Sequence, residues 1–88
     1  MRVAIHSRDF HSKSSRFFEK LVALIKSHRA EVIVSDKIKK HVGSGLKSFD
    51  HTSGLRGVNY FISVGGDGTL LESVTYVGKQ EIPILGIF

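Results

Sequence analysis

The chain has 88 residues, 41% of them hydrophobic and 24% charged, with one proline, no cysteine and a formal net charge of +5. That length accommodates one core and not two, and the composition excludes the disordered and fibrous classes. Without cysteine there is no disulfide framework and no thiolate metal site, and no apolar stretch approaches the roughly 20 residues that span a bilayer.

The first element in chain order is RVAIH, Arg2 to His6, which reads as a short apolar strand. The stretch SSRFFEKLVALIKSHR then switches period. Phe17, Leu21, Leu24 and His28 fall at i, i+4, i+7 and i+11, with Phe18, Val22 and Ile25 in the neighbouring row, so an amphipathic helix is expected. Serine before the stripe and Glu19 four residues after Ser15 are its start signals; Lys26 and Arg29 sit where a helix C-terminus favours cations. AEVIVS, Ala30 to Ser35, is β-branched and suits a buried parallel strand.

From Asp36 the chain turns polar, and HVGSGLKSFDHTSGLRG, with four glycines, reads as a short helix plus irregular loop. VNYFISV, Val58 to Val64, is strand-like, TLLESVTYV is helix-like, and IPILGIF supplies a fourth apolar run. The order β-α-β-(α/loop)-β-α-β implies right-handed crossovers and an open parallel sheet with helices on both faces, a Rossmann-like α/β fold in one domain, residues 1–88.

Lysine and arginine are spread from Arg2 to Lys79 without a dense block, which favours attraction of a phosphorylated small molecule over nucleic-acid binding. Lys37, Lys39 and Lys40 read as a solvated face. The five histidines, His6, His11, His28, His41 and His51, are too irregular for a zinc motif, so they read as surface or partly buried imidazoles and no protein-ligated metal is expected. The N-terminal MRVAIHSRDF is too short in apolar residues for a signal peptide, so a cytoplasmic location without a membrane partner is expected.

One segment carries chemistry. In YFISVGGDGTLLESV, Tyr60 to Val74, three glycines surround Asp67 between a strand and a helix. Ligands of open parallel sheets bind beyond the carboxyl ends of the strands, where Gly65 begins. Glycines let backbone N–H groups approach a ligand, and the helix N-terminus adds about half a positive charge, so a phosphate is favoured there. Thr69 and Glu72 form a candidate capping box. A carboxylate beside an anion site is electrostatically opposed to the phosphate. Asp67 therefore either accepts a proton from an attacking hydroxyl, helps hold a phosphate-bridging cation, or simply supports the turn. The segment is no Walker loop, since no lysine follows the last glycine, and Leu71 stands where the dinucleotide fingerprint needs glycine.

GGDGTLL, Gly65 to Leu71, preceded by FISV and followed by IPILGI, resembles the N-terminal domain of NAD kinases. The Gly-Gly-Asp-Gly-Thr core also occurs in diacylglycerol and sphingosine kinases, with a close variant in phosphofructokinases; the paired leucines and the spacing to PILGI are similar to NAD kinases. The resemblance implies transfer of a phosphoryl group from ATP or polyphosphate, with Mg²⁺ or a similar ion, to the 2′-hydroxyl of the NAD adenosine ribose, yielding NADP. It implies that Asp67 is the general base and that Gly68 lies against NAD. Gly65, Gly66 and Thr69 would shape the phosphate-facing turn, and Leu71 would give an apolar contact near the adenosine.

Phe88 stands where the family has asparagine, and the family's C-terminal β-rich domain is not in the sequence. The chain is therefore expected to be an N-terminal portion, inactive alone and prone to self-association. A lipid kinase domain and a non-catalytic phospho-ligand module are the alternatives.

Overall fold

The structure is a computed structural model that describes residues 1–8, 15–42 and 45–87; Ser14, His11, Gly43, Ser44 and Phe88, which figure in the expectations above, lie outside them. Its strands are β1 (Arg2–His6), β2 (Glu31–Ser35), β3 (Lys47–Phe49), β4 (Tyr60–Val64) and β5 (Ile84–Ile87). The helices are α1 (Ser15–Ser27), α2 (Asp36–Val42) and α3 (Asp67–Val77), with a short 3-10 helix at Thr52–Leu55. All four strand pairings are parallel, in the order β3-β2-β1-β4-β5. The α/β fold expected from the alternating pattern is the fold observed.

Strand parity sorts the apolar residues onto two faces. Ala4, Ile33, Phe49 and Phe61 form one core cluster with Leu55, Val58 and Val77, against which Tyr76 packs. Ile5, Val32 and Val34 form the other with Phe18, Ile38 and Leu46. Central strands buried on both faces explain why β1 and β2 read as continuous apolar runs.

Two details depart from the sequence reading. Lys47–Phe49, expected within an irregular loop, is an edge strand, with Ile33, Val34 and Ser35 beside Lys47, Ser48 and Phe49. Three residues among glycines carry too little local signal, and pairing with β2 makes them a strand. In α1 the core face is the Phe18 row. Phe18 is buried and Leu21, Val22 and Ile25 pack beside it, while Phe17 and Leu24 are exposed. Both rows are apolar, so periodicity alone does not choose between them. Arg29 closes the helix in the left-handed region at φ 62°, donating its N–H to the Lys26 carbonyl.

The order places the switch point between β1 and β4. The chain runs outward from β1 to β2 and β3 on one side, then returns to β4 and continues outward to β5 on the other. The crevice at the carboxyl ends of β1 and β4 is where such sheets bind ligands. No helix of the described residues is long and apolar enough to cross a membrane.

Candidate functional site

The Gly65–Thr69 turn leaves β4 at that switch point. The Gly65 N–H donates to the Ile87 carbonyl at 2.8 Å, anchoring the turn to the end of β5. Gly65 has φ 141°, and a Cβ there would stand 2.5 Å from Thr69 Oγ1, so only glycine fits without strain. Gly66 is the N-cap of α3 and offers no side-chain cap, so the first-turn N–H groups have no acceptor from it. The helix begins at Asp67, two residues earlier than expected.

The capping box is not formed. Thr69, the third helical residue, is only 3% exposed, and its hydroxyl accepts a hydrogen bond from the Arg8 N–H at 3.2 Å. Glu72 points instead toward β1 and α2. Gly68 gives room to the Arg8 guanidinium, which lies where a Cβ would project.

Asp67 is exposed in the first turn of α3, and among the described residues no hydrogen bond or ion pair engages its carboxylate. Leu71, one turn on and on the same side of the helix, is 70% exposed, which excludes a core role for it. The turn thus brings Gly65, Gly66, Asp67, Gly68 and Thr69 to one rim of the sheet, with Leu71 beside them.

Sequence reasoning passed over the group behind this rim. His6, the last residue of β1, is fully buried; its Nδ1 lies 2.7 Å from Ser35 Oγ and its Nε2 2.8 Å from Glu72 Oε1. The second Glu72 oxygen accepts from Lys37 Nζ at 3.1 Å and pairs with Arg8 Nε at 3.7 Å. Lys37 is therefore tied to α3 and is not simply part of a solvated face.

Burial pushes the His6 imidazole below its usual 6.5, and the Glu72 hydrogen bond and charge offset this only in part. For Glu72, burial works to raise the carboxyl; hydrogen bonds from His6 and Lys37, with their charges, outweigh it and hold the group below 4.5. The signal in the sequence is position, since His6 ends one strand and Lys37 lies two residues beyond the end of another.

A cleft of about 210 Å³ lined by Lys37, Glu72, Thr75 and Tyr76 opens beside α3. It falls short of the roughly 300–1,000 Å³ of a small-molecule site, so it does not by itself enclose a dinucleotide. No cluster of three His, Cys, Asp or Glu side chains capable of holding a metal occurs among the described residues.

Residues 3–88 match the family model of the ATP-NAD kinase N-terminal domain. The chain belongs to that family. It is 36% identical over 92 residues to an NAD kinase of Bacteroides fragilis, covering 99% of this chain and 32% of that protein. An NAD kinase of Christiangramia forsetii is 28% identical over 94 residues, again 99% of this chain and 32% of the relative. The NAD kinase of Sulfurimonas denitrificans is 37% identical over 70 residues, 80% of this chain and 24% of its own length. The chain thus spans about a third of the length of the curated relatives it matches. Within this ATP-NAD kinase N-terminal domain, the segment that suggested the family from sequence is the turn at the switch point.

Proposed function

We propose that this chain is the N-terminal part of a kinase that transfers a phosphoryl group from ATP or polyphosphate to the 2′-hydroxyl of the NAD adenosine ribose. The observation that carries the reading is the setting of Asp67. It is an exposed carboxylate without a partner among the described residues, at the rim where parallel sheets receive nucleotides and beside an N-terminus capped only by glycine. Its neighbour Glu72, by contrast, is engaged by His6, Lys37 and Arg8 and is not available as a base.

In this reading Asp67 accepts the 2′-hydroxyl proton as the ribose oxygen bonds to the terminal phosphorus. The bond from that phosphorus to its bridging oxygen breaks, and the shortened donor departs. Gly66 and Gly68 keep the approach open, Gly65 and Thr69 hold the turn in shape, and Leu71 offers an apolar contact to the adenosine. Among the described residues no set of protein ligands for a divalent ion is gathered here, so an ion accompanying the donor would be held by the donor's own phosphates, whose charge it would neutralise.

The remainder of the pocket belongs, on this proposal, to a C-terminal β-rich domain. The 88 residues alone are then inactive, because phosphoryl transfer depends on positioning both reactants. A cytoplasmic location and self-association complete the reading.

The test uses the polypeptide extended to its natural end. Asp67→Asn should lower kcat for NADP formation by about 10²- to 10⁴-fold, the range of general-base catalysis, with the fold unchanged by circular dichroism. Unchanged turnover would refute the assignment of the base. Offering NAD and a diacylglycerol to the same preparation separates this reading from a lipid kinase, which the family match makes the weaker alternative.

A further inference from the structure

The buried end of β1 is more elaborate than packing requires. A phenylalanine could fill the same space, yet the chain buries an imidazole and satisfies both of its nitrogens, one from β2 and one from α3. The next residues continue the grip, since the Arg8 N–H donates to Thr69 Oγ1 and the Tyr76 ring meets the His6 ring edge-on at 4.9 Å. Thr69, Glu72 and Tyr76 stand at i, i+3 and i+7, one stripe of α3 laid along the end of β1. Asp67 is the first residue of that helix, so whatever fixes the stripe fixes the backbone from which its carboxylate projects.

We propose that His6 is a positioning residue for the Gly65–Thr69 turn, bridging Ser35 and Glu72 so that the first turns of α3, and Asp67 with them, are held against β1. The inference rests on the phosphoryl-transfer reading for its kinetic consequence only; the structural claim stands apart from it. The chemistry also specifies the tautomer. Ionised Glu72 only accepts, so His6 carries its proton on Nε2, and Nδ1 accepts a hydrogen bond from the Ser35 hydroxyl. Lys37 and Arg8 engage the second Glu72 oxygen, while burial, with a smaller contribution from the Lys37 charge, disfavours the charged imidazole. A loosened α3 would displace Asp67 by a fraction of a turn, and a 1 Å misplacement at a reacting centre costs on the order of 10²-fold in rate.

The experiment compares His6→Phe, Glu72→Leu and Glu72→Gln in the full-length polypeptide. Each is assayed for NADP formation, with nitrogen-15 NMR of the histidines and hydrogen exchange of the amides from Asp67 to Glu72 measured on the same samples. Expected are a 10- to 100-fold fall in kcat for His6→Phe and Glu72→Leu with KM for NAD within threefold, and at least a third of kcat for Glu72→Gln, whose amide oxygen still accepts from Nε2. The double variant His6→Phe/Glu72→Leu should be no worse than either single one. The wild-type imidazole should show the Nε2–H tautomer, and α3 amide exchange should quicken in Glu72→Leu.

Folded variants with wild-type kcat, a loss confined to KM, or Glu72→Gln as damaged as Glu72→Leu would each overturn the proposal. Should His6→Phe not fold, the wild-type tautomer decides, and an Nδ1–H imidazole overturns it. If the wild-type polypeptide forms no NADP, the function reading fails, while the tautomer and the exchange rates still decide this one.

Discussion

Gly65 and Gly66 are adjacent and look interchangeable in the sequence, yet the structure separates them. Gly65 combines φ 141° with a close approach to Thr69, whereas nothing lies within 4 Å of a Cβ at Gly66, whose φ of −90° any residue adopts. Gly65→Ala should therefore destabilise by about 1–3 kcal/mol, the cost of a strained backbone site, and Gly66→Ala by a few tenths at most. Thermal unfolding of the two variants in the same polypeptide checks this, and equal midpoints would remove the assigned strain. Activity should rank differently, because a methyl at Gly66 intrudes on the approach to the rim without disturbing the turn.

At the scale of the element, α3 is attached to the sheet by apolar burial at its C-terminal end and by charge at its middle. Val77 lies in the core, while Glu72 joins β1 and α2 through His6 and Lys37. The ionic attachment makes stability pH-dependent with a definite sign. His6 has a folded value below 6.5, so the unfolded chain takes up the proton more readily and stability is lost as pH falls below 6.5 toward the folded value. The folded value of Glu72 lies below 4.5, so its contribution is complete above 4.5 and is lost as pH falls through the folded value. Both slopes point the same way. Denaturant midpoints should fall from pH 7 to pH 5.5 and further at pH 4, and His6→Gln should abolish the first decrease while retaining the second.

For the whole molecule, the sheet's edge at β5 matters most. β5 pairs with β4 on one side only among the described residues, and Leu85 is 52% exposed on it. An open edge with apolar side chains favours pairing with another chain. The 88-residue chain should self-associate in sedimentation velocity, and Leu85→Lys should shift it toward monomer. A strictly monomeric wild-type chain would count against a role for this edge.

The alternating pattern of apolar runs and amphipathic segments sufficed, by itself, for the fold class, for four of the five strands and for the position of the glycine turn. Strand and helix periods are local properties, and a glycine cluster between a strand pattern and a helix pattern marks the turn that joins them. Tertiary structure alone decided the rest. β3 exists because β2 offers it a ladder, and α1 rotates its Phe18 row inward because the sheet's surface selects between two apolar rows. Glu72 leaves its expected capping partner for His6, 66 residues away in the chain. Contacts between residues so distant leave no trace in local sequence, since what joins them is the parallel order of the strands and not the residues between them.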